Sequence, residues 1–124
     1  YLIRSNTAAG KKLLLERVTT FAKHLSGKVV TMSDYPAWEY KSDSQLRKIC
    51  VDSFTNVYGH EPEVTSIHAG LECGILGSKY PNWDMISFGP TLCSPHSPDE
   101  RVNIASVEKF WEYLKATLKN IPAK

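Results

Sequence analysis

Cysteine is scarce and poorly placed: Cys50, Cys73 and Cys93 are an odd number at wide spacings, with no C-x-x-C pair. No compact disulfide framework can be built from them, and reduced thiols in a cytoplasmic protein are expected. An excess of either charge is also missing. Fifteen Lys and Arg stand against 13 Asp and Glu, mixed along the chain, for a net charge of +2. That balance offers no basic face for nucleic acid or for an anionic membrane surface. Long apolar runs are absent too, Leu13-Leu14-Leu15 falling far short of the roughly 20 residues that span a bilayer. There is no internal repeat, no low-complexity tract, and no charged leader ahead of an apolar stretch. The chain opens on Tyr1-Leu2-Ile3, which reads as the middle of a strand without an initiator Met, so a segment of something longer is expected.

What is present is the profile of a folded protein: 42% apolar residues, 23% charged, and seven each of Gly and Pro in 124 residues. Length alone suggests one domain with a modest core. Residues 1–4 are β-prone, Ser5-Asn6-Thr7 offers N-cap side chains, and Leu14, Val18, Phe21, Ala22 and Leu25 recur at helical spacing. Ser26-Gly27 supplies a left-handed helix stop before the β-branched run 28–32, so the first third reads β-α-β. Pro36, within Asp34-Tyr35-Pro36-Ala37-Trp38, marks a segment boundary.

Beyond that boundary, a capping box of Ser42 and Gln45 opens a helix with Leu46, Ile49, Cys50, Ser53, Phe54 and Val57 on one face, stopped by Gly59. A strand over 64–69, a short helix over 71–80 and a strand over 85–88 form a second β-α-β with parallel strands. Residues 89–100 hold three prolines and no periodicity, a loop long enough to carry function. Asn103 then caps a last helix with the stripe Ile104, Val107, Trp111, Leu114 and Leu118. The fold class expected is α/β.

Four histidines are candidates for chemistry. His24, in the last turn of the first helix, and His60, just after Gly59, read as structural. His68 and His96 lie at a strand end and in a loop, where α/β sheets place ligands. Prolines on both sides of His96 in Ser94-Pro95-His96-Ser97-Pro98 stiffen its backbone, which suits a metal ligand, and Asp99 or Glu100 is placed to fix the ring tautomer. A polar surface loop ended by prolines is the plainer alternative. In His68-Ala69-Gly70-Leu71-Glu72-Cys73-Gly74, Gly70 lets the backbone approach a substrate anion at a helix start. Glu72 is either a helix-start carboxylate or a catalytic one, and Cys73 beside His68 admits a thiol nucleophile. Arg4 ends the first strand with a fork suited to a carboxylate, or is simply a solvated charge.

The runs HAGLECG at 68–74, NWDMISFGPT at 82–91 and HSPDERV at 96–102, with IRSN at 3–6 and YPAW at 35–38, resemble the C-terminal part of bacterial aminoacyl-histidine dipeptidases. These are the Xaa-His dipeptidase (peptidase D) branch of the co-catalytic zinc exopeptidases related to carboxypeptidase G. The resemblance implies the last β-α-β of an α/β lid over 1–35, followed over 36–124 by the C-terminal half of a metallopeptidase catalytic domain. It implies that His96 is a ligand to one of two zinc ions, with Mn2+ or Co2+ as possible substitutes. Arg4 would grip the substrate's terminal carboxylate, and the Gly70 backbone would line the same pocket. The remaining ligands and the general-base glutamate would lie outside this chain, leaving no catalytic residue within it. A cytoplasmic homo-oligomer acting on small dipeptides, with neither nucleic acid nor membrane as partner, is the corresponding expectation. The resemblance would place a glycine-alanine pair before the histidine where this sequence has Cys93-Ser94-Pro95, which leaves the loop shape open. Two other readings stand beside the dipeptidase: a non-catalytic assembly module that keeps the family fold, and a cysteine hydrolase using Cys73 and His68.

Overall fold

A computed structural model describes residues 1–67 and 72–123. Its elements are α1 (Ala8–His24), α2 (Gln45–Tyr58), α3 (Glu72–Lys79), β1 (Leu92–Cys93), β2 (Arg101–Val102) and α4 (Ile104–Asn120). They fall into two compact units, Tyr1–Ser42 with Thr65–Trp83, and Asp43–Val64 with Asp84–Lys124.

In the first unit α1 begins where the hydroxyl-bearing cluster predicted it. Thr7 accepts from the Gly10 N–H at 3.1 Å, and the carboxylate of Glu39, 31 residues away, accepts from the Ala8 N–H at 2.8 Å. Two of the donors left open at a helix start are thereby satisfied. The far end closes differently from expectation. Ser26, not Gly27, takes the left-handed conformation with φ 58°, and the Gly27 N–H returns to the Ala22 carbonyl at 2.7 Å while the Ser26 N–H reaches Lys23 at 3.0 Å. That is a Schellman closure. Gly27 is needed for room, since a Cβ there would lie 2.9 Å from the Ala22 oxygen. Lys11 pairs with Asp34 and donates to the Tyr35 carbonyl, drawing the segment after α1 back onto the helix. Further along, Gly74 of α3 is buried against the chain at Pro36, whose carbonyl oxygen would stand 2.6 Å from a Cβ at that position.

The second unit is an α2–α4 pair. The cap of α2 is Ser44, which accepts from the Arg47 N–H at 3.0 Å, so the predicted Ser42 cap is displaced by two residues. Asp84 adds a second acceptor from 38 residues away, taking the Leu46 N–H at 2.9 Å. Gly59 ends the helix as predicted, left-handed at φ 75°. Between the helices lies an aromatic cluster in which Tyr113 meets Phe54 edge-on at 5.2 Å and Phe88 at 4.8 Å, and Phe88 also meets Phe110 at 5.7 Å. His60 packs edge-on against Phe54, a structural placement as expected. This cluster decides which face of α4 is inward. Tyr113 and Thr117 turn toward α2 and Phe110 packs on Phe88, whereas Ile104, Val107, Trp111 and Leu118 of the predicted stripe are exposed. The buried face is the predicted one turned by one residue, about 100° around the helix axis.

The expected strands are the main departure. Among the described residues 1–4, 28–32, 64–67 and 85–88 join no ladder, and 68–69 lie outside the described residues. A parallel strand is held by neighbours on its edges and by layers on both faces, and these segments have no such neighbour here. Among the described residues the one sheet is instead the antiparallel pair β1–β2, in register Leu92↔Val102 and Cys93↔Arg101, its first strand inside the stretch 89–100 that reads in sequence as a loop and its second just after it. Burial is correspondingly thin: among the described residues Cys50 and Tyr113 alone are buried apolar side chains.

Candidate functional site

The β1–β2 pair turns residues 94–100 into a closed loop with His96 near its tip. Its base is tied to α4, because the Asn103 N–H donates to the Thr91 carbonyl at 2.9 Å and the Thr91 N–H donates to Ser106 Oγ at 2.9 Å. Inside the loop Ser97 Oγ donates to the Ser94 carbonyl at 2.8 Å and accepts from the Asp99 N–H at 3.2 Å, while the Glu100 N–H reaches the Ser97 carbonyl at 3.1 Å. Two residues are left-handed, Ser94 at φ 51° and His96 at φ 63°. For residues with a Cβ that geometry costs about 1–2 kcal/mol each, so the surrounding bonds must select it. Ser94 holds a conformation that glycine adopts freely, which gives the Cys93-Ser94-Pro95 departure its loop shape.

His96 is exposed, and its backbone N–H donates to Glu100 Oε2 at 2.7 Å. Of the two carboxylates expected near the ring, Glu100 places Oε2 on the main chain of His96. Arg4 is an exposed residue of the first unit, and His96 belongs to the second. Gly70 and His68 lie outside the described residues. Glu72 is the first residue of α3, exposed in a first turn where the helix dipole favours a carboxylate. Burial pushes the Cys73 thiol up, and the adjacent Glu72 carboxylate adds to the effect. A nucleophilic thiolate needs the opposite shift. His24 sits in the last turn of α1, as read from sequence.

As a single metal donor His96 fits, being an exposed imidazole on a pinned turn. Among the described residues no group of three or more His, Cys, Asp or Glu could hold a metal ion. A catalytic zinc takes three protein ligands and a water, so the described residues do not by themselves complete such a centre. No helix among the described residues is long and apolar enough to cross a membrane.

Comparison with known proteins bears on what the loop belongs to. The chain is 38% identical over 123 residues, 99% of its length, to the cytosol non-specific dipeptidase of Escherichia coli (strain K12), of which it covers 25%. It superposes with a TM-score of 0.80 on the crystal structure of aminoacylhistidine dipeptidase from Vibrio alginolyticus, at 40% identity, covering 97% of this chain and 24% of that one. It thus spans about a quarter of the length of these relatives. The structural likeness bears out the α/β fold class, while among the described residues 28–32, 64–67 and 85–88 join no ladder. Residues 14–120 match the model of peptidase family M20/M25/M40, and the chain belongs to that family.

Proposed function

We propose that this chain is a segment of a metal-dependent dipeptidase that hydrolyses dipeptides ending in histidine, and that it contributes His96 to a centre of two zinc ions. The observation that supports the reading is the likeness, over 99% of the chain, to a protein named as a dipeptidase. On this reading residues 1–35 belong to a lid and 36–124 to the catalytic domain. Mn2+ or Co2+ would be accepted by the same imidazole donor.

A bound metal pair supplies an activated water and a Lewis-acid contact for the peptide carbonyl. The residues of this chain bind and orient. His96 offers one neutral ring nitrogen as a donor from a backbone that has little freedom left to lose. Arg4 presents two parallel N–H groups to the terminal carboxylate of the dipeptide, fixing which end of the substrate enters. On this reading the Gly70 main chain would line the same pocket. General base and remaining ligands come from outside residues 1–124, so these residues alone hydrolyse nothing. The full enzyme acts in the cytoplasm as a homo-oligomer on small dipeptides.

The test uses the full-length polypeptide that carries this sequence. Hydrolysis of an Xaa-His dipeptide should vanish on chelation, return with Zn2+, and fall at least about 100-fold in His96→Ala, the scale expected when a metal ligand is lost. Full activity after chelation or in His96→Ala would overturn the proposal.

A further inference from the structure

The turn at His96 contains a bond that the ligand reading does not use. Pro95 has no N–H to donate, and the Glu100 N–H is already committed to the Ser97 carbonyl. The His96 N–H is directed instead at the side chain of Glu100, 2.7 Å away. Glu100 directly precedes Arg101, which is paired with Cys93 in the β1–β2 ladder. A carboxylate whose main chain adjoins the ladder thus reaches back four residues to the one histidine in the loop, and that histidine is left-handed at φ 63°.

We infer that Glu100 is a positioning residue for His96: its carboxylate accepts the His96 backbone N–H and thereby selects the left-handed turn that sets the direction of the imidazole. The inference rests on the reading of His96 as a metal ligand. A left-handed histidine following a proline is not chosen by its own backbone preference, which favours the extended or right-handed regions. A charge-assisted bond to the main chain is short, strong and specific to one turn geometry. Removing the acceptor frees the N–H, lets residue 96 return to its preferred region, and turns the ring away. The carboxylate charge is secondary, since a neutral carbonyl oxygen at the same place accepts the same bond.

The full-length polypeptide again provides the test, with zinc affinity measured by chelator competition and the visible spectrum of the Co2+-substituted protein as a second readout. Glu100→Ala should weaken zinc binding about 10-fold or more, the range found for residues that orient a ligand, and should alter the Co2+ spectrum. Glu100→Gln should restore both. Parental zinc affinity and spectrum in Glu100→Ala, or an equal loss in Glu100→Gln, would overturn the inference. His96→Ala separates the two layers. If that variant binds zinc like the parent, the ligand reading fails; if it loses zinc while Glu100→Ala keeps it, only the positioning role fails. Amide exchange in the unsubstituted protein guards against a variant that does not fold: the His96 amide should be protected, and exchange at the rate of an open loop would overturn the inference without any substitution.

Discussion

The phenol of Tyr113 donates to the main-chain carbonyl of Cys50 at 3.1 Å, joining α4 to α2 across 63 residues. Both residues are buried, and they are the only buried apolar side chains among the described residues. Burial, with a smaller contribution from the nearby Cys50 thiol, pushes the Tyr113 phenol up to about 12.

Tyr113→Phe should therefore cost about 1 kcal/mol, the net worth of one hydrogen bond. Because Cys50 lies within α2 its carbonyl keeps a helical partner, so no further cost for an unpaired carbonyl is added. Linkage gives the pH dependence. A phenol that holds its proton more tightly when folded contributes stability that is fully present below the ordinary value of 10.0 and is lost as pH rises through about 12. Denaturant unfolding followed across that window should show a steeper alkaline decline in the parent than in Tyr113→Phe.

Each of two helices starts under a distant carboxylate, Glu39 over Ala8 of α1 and Asp84 over Leu46 of α2. Asp84→Ala should destabilise the α2–α4 unit by about 1 kcal/mol, as loss of a helix cap does. Asp84→Asn keeps an acceptor oxygen and should lose less. Thermal unfolding with the two variants side by side checks the order.

The three thiols should react in the order of their surroundings. Cys93 is exposed, Cys73 half-buried with its thiol raised by burial and by Glu72, and Cys50 is 1% exposed with its thiol raised chiefly by burial. Timed alkylation read by mass spectrometry should label Cys93 first and Cys50 last, at the rate at which α2 and α4 part. Modification of Cys73 should leave dipeptide hydrolysis intact, against the thiol-nucleophile reading.

On the proposed dipeptidase reading, Arg4→Ala in the full-length polypeptide should raise KM roughly 10- to 100-fold, as expected when a charge-assisted pair to substrate is lost. Arg4→Lys keeps the charge without the planar fork and should recover only part of the affinity. Steady-state kinetics on Xaa-His dipeptides, compared with the same dipeptides amidated at the carboxyl end, checks whether the effect follows that carboxylate.

The helices were legible because their signals are local. Thr7, Asn103 and Gly59 do what their positions in the sequence announce. Choices between near neighbours were not legible: Ser44 caps where Ser42 also qualified, and Ser26 turns left-handed where Gly27 was the better candidate. In each case a distant or crowding group decides, Asp84 reaching the start of α2 and the Ala22 carbonyl crowding residue 27. The same holds for α4, whose apolar side chains surround much of the helix, so that periodicity offered two faces and the aromatic cluster with Phe54 and Phe88 selected one. The strand segments carry β-forming residues, but pairing depends on neighbours that a single segment does not encode. At the candidate site the prolines and the motif pointed to His96. The bond from its main chain to Glu100 depends on a left-handed φ that no residue type in the loop announces.

Gly59 and Gly74 show that glycine answers two different stereochemical questions. At Gly59 the backbone is left-handed, φ 75°, and among the described residues nothing lies within 4 Å of where a Cβ would stand. That site rejects the handedness of an L-residue, not its bulk, so D-alanine introduced by chemical synthesis would suit it. At Gly74 the neighbouring Pro36 oxygen occupies the very place of an L-methyl group, 2.6 Å away, inside a right-handed helix. Mirror-image substitution relieves nothing there, because a D-residue opposes the helix that the L-methyl would crowd. One chiral probe thus separates a turn that needs an enantiomer from a contact that needs an empty space.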